Sequence, residues 1–167
     1  MNERIRALAL TMKARLDQET GLFDRLGVEV DRLRESYQAK DWSTSLLIAE
    51  GIERSAAAVG AADAARDDAF VHLREALELP EETFFSALLP ALPEGERADL
   101  EEGWRRLRMS VVRLKTATGR MRYAAEALAG VLNRMVEELF PAMKGKIYSR
   151  RGRPTAVTGA LLVNRKL

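Results

Sequence analysis

The chain predicts an all-α fold: an elongated antiparallel bundle of about three long helices plus one short helix, with an extended basic C-terminal tail. Three observations predict it. All five prolines fall at 80, 90, 93, 141 and 154, leaving 1–79 and 94–140 free of them. Proline inside a helix costs about 3 kcal/mol, so these two stretches are free to form long helices. Apolar residues recur along both at close to the 3.5-residue period of packed helices. With 167 residues, 47% hydrophobic and 31% charged, the chain has enough apolar side chains to bury a core. A helical domain over 1–140 followed by a tail over 141–167 is the expected organisation.

The first helix is expected over 2–38. Ile5, Leu8, Met12, Leu16, Phe23, Leu26, Val30, Leu33 and Tyr37 form its apolar face. That face ends at Gln38-Ala39-Lys40, where the chain either turns or kinks mildly, and Asp41 is placed to cap a second helix entering at Trp42. The second helix, expected over 42–78, carries Leu46, Ala49, Ala56, Val59, Phe70, Leu73 and Leu77. Its Ala-rich centre, Ala56 to Ala65, forms helix readily but anchors weakly. A short helix over 81–89 follows, with Phe84, Phe85, Leu88 and Leu89 expected to plug the bundle end.

The last helix is expected over 94–140. Its seam runs Leu100, Trp104, Leu107, Val111, Leu114, Thr118, Met121, Ala125, Leu128, Leu132, Met135 and Leu139 in alternating steps of four and three. Acidic residues from Glu94 to Glu102 suit the positive end of the helix dipole, and Pro141 stops the helix at Phe140. The weak second helix leaves the far part of this seam short of cover within the molecule. Leu128, Leu132, Met135, Leu139, Phe140 and Met143 are therefore the candidate surface for a partner helix, and their methionines let it adapt in shape. Ile147 and Tyr148, just beyond, complete the candidate partner-binding set, with the tail closing over the groove or tuning it. A homodimeric coiled coil would use the same residues and is the alternative reading.

Charge is unevenly spread. Residues 141–167 hold seven basic side chains and no acid, leaving 20 basic and 25 acidic ones in the remainder. The basic tail with Tyr148 suggests phosphate contact and base stacking, but one aromatic is thin support; a solvated tail is favoured over nucleic-acid binding. No apolar run reaches the roughly 20 residues of a membrane span, so no membrane insertion is expected. The start, MNERIRALAL, lacks a signal-peptide core, and zero cysteines fit a reducing cytoplasm.

Chemistry is sparse. There is no phosphate-cradling glycine loop and no dinucleotide fingerprint. His72 is the one histidine, and it reads as a helix-surface residue. Asp67-Asp68, Glu81-Glu82 and Glu137-Glu138 diverge by about 100° on a helix and read as solvated faces. No catalytic, cofactor-binding or metal-binding residue is nominated, no cofactor is implied, and an enzyme is not expected.

The ordered combination of elements resembles the FlgN-type flagellar export chaperones. A long first helix breaks at AKDW, LLIAEGIERSA opens the second, and LLPALPEGERADL leads into a long final helix. The tail KIYSRRGR is similar to that family's Tyr-x-x-x-Gly element, with Tyr148 and Gly152 in the matching places, and LLVNRKL is similar to family C-termini. The chain departs from the family at Glu50-Gly51, where Glu-Lys is frequent, and at KTATGRMRYA, where asparagines are frequent. The resemblance implies a cytoplasmic chaperone of flagellar type III export. Its partners would be the C-terminal helical segments of hook–filament junction (hook-associated) proteins and the export gate.

Overall fold

The computed structural model describes residues 3–139, 147–148 and 154–155. It is an all-α bundle of three long helices and one short one: α1 (Glu3–Gln38), α2 (Trp42–Ala76), α3 (Phe85–Leu88) and α4 (Glu94–Leu139). A 3-10 turn, Leu89–Ala91, joins α3 to the loop before α4. Beyond α4, β1 (Ile147–Tyr148) pairs antiparallel with β2 (Pro154–Thr155), Ile147 opposite Thr155 and Tyr148 opposite Pro154. The chain divides into two compact units, Met1–Ala124 and Ala125–Leu167.

The break after α1 is a true turn. Lys40 adopts a left-handed backbone, φ 61°, and the Asp41 carboxylate accepts the Thr44 amide at 3.1 Å, capping α2. That hydrogen bond, with a second from Ser43, holds the Asp41 pKa below the usual aspartate value. Ser36 and Ser45 then meet across the turn at 2.9 Å, both buried. Further along, Arg66 of α2 reaches Glu19 of α1 at 2.7 Å. As one helix's numbering rises the other's falls, so α1 and α2 are antiparallel.

Three expectations about the connection to α4 are corrected. The short helix begins at Phe85 rather than at residue 81. Residues 80–83 form a turn instead: the Thr83 amide donates to the Pro80 carbonyl, and Arg74 Nη1 donates to the Glu81 carbonyl at 2.6 Å. The second helix likewise ends at Ala76, two residues early, because Glu78 turns left-handed at φ 56° ahead of Pro80. Phe84 does not plug the bundle end. It precedes the first turn of α3 in extended backbone and is 79% exposed, while Leu88 and Leu89 are buried.

The core lies at this end of the unit. Met12 and Leu16 of α1, Leu73 of α2, Leu88 of α3 and Leu100 of α4 are almost wholly buried there. Phe85 stacks on Trp104 with ring centroids 4.7 Å apart, and the tilted Phe70 ring packs against Phe85 at 6.3 Å. The Arg66 guanidinium lies 5.8 Å from the Trp104 ring centre.

α4 runs parallel to α1. Arg106 pairs with Asp17 at 2.6 Å, Arg113 with Asp24 at 2.7 Å and Arg120 with Asp31 at 2.8 Å, a ladder with a repeat of seven on both helices. Beside it, the residues of α4 buried against its neighbours are Leu100, Gly103, Leu107, Ser110 and Ala117. The sequence seam is therefore corrected in one respect. Three of its buried positions are small residues at a spacing of seven, while Thr118 is exposed. The reason is close approach: a Cβ at Gly103 would stand 3.2 Å from Leu16 Cδ1. A helix face with little side chain lets α1 come near enough for aspartate and arginine to meet at its edge.

Candidate partner-binding surface

Past Ser110, α4 continues with small or half-buried residues, and its remaining apolar groups look outward. Val111 and Leu114 are half-buried, and with Lys115, Thr118, Gly119 and Arg122 they line a groove of about 340 Å³. A second groove, of about 650 Å³, follows the α1–α4 junction. Phe23, Gly27 and Val28 wall one side, Val112, Thr116 and Ala117 the other. Val28 and Val112 are both exposed there. Sequence reasoning missed both grooves. The signal for the second was available: Asp17, Asp24 and Asp31 share a seven-residue repeat with Arg106, Arg113 and Arg120.

In the second unit, the candidate residues on α4 lie along one face at steps of four and three. Leu128 is half-buried, Leu132 is 50% exposed and Met135 49%. Val136, which the sequence seam passed over, is 52% exposed beside them. Leu139 is the last described residue of the helix. Phe140 and Met143 lie outside the described residues. Ile147 and Tyr148 form β1. The structure thus brings Leu128, Leu132 and Met135 onto a common helical strip.

Electrostatics in the first unit are dominated by charges already matched. Glu19 is 3% exposed; burial pushes its pKa up, and the ion pair with Arg66 only partly offsets that. Arg66 itself is desolvated, but Asp63, Glu19 and Asp67 together raise its pKa above the usual arginine value. Burial of Asp24 is outweighed by hydrogen bonds with Arg113 and Ser110, so its pKa is lowered. His72 faces solvent on α2. Among the described residues no group of three or more histidines and carboxylates stands close enough to hold a metal ion, and no helix is long and apolar enough to cross a membrane.

What this arrangement offers is surface: helical strips with apolar side chains half in water. Such strips bind other amphipathic helices by burying matching residues at about 25 cal/mol per Å². No family model, curated protein or solved structure matches the chain.

Proposed function

We propose that this protein is a cytoplasmic chaperone of flagellar type III export. It binds the C-terminal helical segments of hook–filament junction proteins, keeps them soluble and hands them to the export gate, without catalysis of its own. The observation that carries this reading is the strip of Leu132, Met135 and Val136, each about half exposed on one helix. A client helix destined to coil with its neighbours in a filament presents an apolar face and aggregates until another helix covers it. The likeness of the ordered sequence elements to FlgN-type chaperones supplies the identity of the client.

Binding of this kind buries several large side chains but also orders the client, and the surplus is moderate. That suits a partner that must later let go. The test is titration calorimetry of the full chain with C-terminal segments of junction proteins. Leu132→Asp combined with Met135→Asp is expected to weaken binding about a hundredfold or more, from the loss of two buried apolar contacts of roughly 1.5–3 kcal/mol each. Helicity by circular dichroism should stay near that of the parent. Unchanged affinity in the double variant, or a stable homodimer built through this strip in sedimentation at micromolar concentration, overturns the reading.

A further inference from the structure

α4 carries a second basic row at the same spacing as the first: Arg108, Lys115 and Arg122. At 3.6 residues per turn, the row stands roughly 120–160° around the helix from Ser110 and the face that meets α1. The two rows differ in their chemistry. Arg106, Arg113 and Arg120 each meet an aspartate of α1, whereas Arg108 and Lys115 are exposed and make no ion pair among the described residues. Between the α1-facing seam and this second row lie Val111 and Leu114, the apolar floor of the 340 Å³ groove, with Thr118 beside them. Apart from the adjoining chain of its own helix, no described residue stands within 4 Å of where a Cβ at Gly119 would project, so the groove edge is open.

We infer that this stripe seats an amphipathic helix carrying a carboxylate every seven residues beside its apolar seam. The inference rests on the helix-binding function proposed above and specifies the partner's charge pattern and a second place on α4 where it lies. Charge complementarity carries it. On one side of α4, an apolar and small-residue seam edged by a basic heptad row receives a helix, α1, whose aspartates repeat at seven. On another side the same helix presents Val111 and Leu114 edged by Arg108 and Lys115, with no such acidic counterpart among the described residues. A guest with the charge pattern of α1 completes both the burial and the pairing. Exposed pairs add little affinity each, so the row chooses among helices and speeds their capture while the apolar floor holds them.

The experiment uses the full chain and two labelled synthetic amphipathic peptides of about three heptads. They share a Leu/Ala seam, and their flanking heptad position is Glu in one and Lys in the other. By fluorescence anisotropy at low salt, the Glu peptide is expected to bind about tenfold tighter than its Lys twin, and 0.5 M salt should narrow the gap, as screening predicts (Debye length about 10 Å at 0.1 M and 3 Å at 1 M). Arg108→Glu with Lys115→Glu should invert the preference. Equal binding of the two peptides, a preference unchanged by the charge reversal, or no binding of either overturns the inference. So does self-association of the chain that the charge reversal abolishes, which would make a second copy the occupant. Junction-protein segments separate this failure from failure of the proposed function. If they keep full affinity for the charge-reversed chain and lose it for Leu132→Asp/Met135→Asp, the acidic-helix site falls and the chaperone reading stands.

Discussion

The two ends of the first unit are built on different principles. At the α3 end, Met12, Leu16, Leu73, Leu88 and Leu100 are sealed from water and the Phe70, Phe85 and Trp104 rings pack in series. Toward the α1–α2 turn, Leu26 and Val30 are buried among the small residues Ser36, Ser45, Ser110 and Ala117, and the helices are joined at their edges by ion pairs open to solvent. Large apolar side chains give the first end its stability, because each fully buried leucine contributes roughly 1.5–3 kcal/mol. Close approach of thin helix faces gives the second end its geometry at lower energetic gain, since exposed ion pairs contribute at most about 1 kcal/mol each. The proposed chaperone role would draw on that division, with a fixed anchor at one end and accommodating surfaces along the rest.

The largest expected effect comes from breaking the anchor. Leu73→Ala, at a position with no solvent exposure, should lower unfolding free energy in urea by about 2–5 kcal/mol. A loss below about 1 kcal/mol would mean that the α3 end is not the stability centre. A pair of glycine substitutions sharpens the contrast. Gly103→Leu, facing Leu16 Cδ1 at 3.2 Å from the added Cβ, should destabilise by about 1–3 kcal/mol. Gly119→Ala, projecting into open space, should stabilise by up to about 1 kcal/mol through helix propensity. Thermal melts of the two variants should therefore move in opposite directions.

The smallest effect belongs to the ladder. Asp24 has a depressed folded pKa, so its contribution is present above the unfolded aspartate value of 3.8 and is lost as pH falls through the folded value. Arg113→Ala should cost about 0.2–1 kcal/mol at neutral pH and low salt. The difference from the parent should vanish both below that pH window and in high salt, as followed by denaturant titration.

Much of this architecture could be read from residue order. Proline placement bounded the long helices because a single proline ends one, and Asp41 announced the turn because a carboxylate at that position satisfies the free amide of Thr44. The α1–α4 contact was harder to see. A period of 3.5 selects Trp104, Val111 and Thr118, and passes over Gly103, Ser110 and Ala117, whose small side chains carry little hydrophobic signal. Their burial comes from a neighbouring backbone drawing close, a property of two helices that neither sequence segment displays alone. Phe84 failed for a related reason: its size suggested burial, but the Pro80–Thr83 turn directs it away from the core. On the candidate surface, the four-and-three steps select Leu132 and Met135, each about half exposed, while Val136 beside them escaped because it falls off that register.

A ladder that repeats every seven residues has a hidden ambiguity. Sliding α4 along α1 by one heptad, about 10 Å, would still match Asp17 with Arg113 and Asp24 with Arg120. It would forfeit Asp31–Arg120, Lys13–Asp99 and Arg6–Glu96, and bring Lys13 opposite Arg106. Inside the ladder the charges are nearly indifferent between two alignments, so the register is held from its α3 end. The missing side chain at residue 103 acts there too: it leaves a notch for Leu16, and a slip would put the Ser110 side chain in its place. One hydrogen atom in lieu of a methyl group, with two ion pairs beside it, favours one alignment of the two rods over the next.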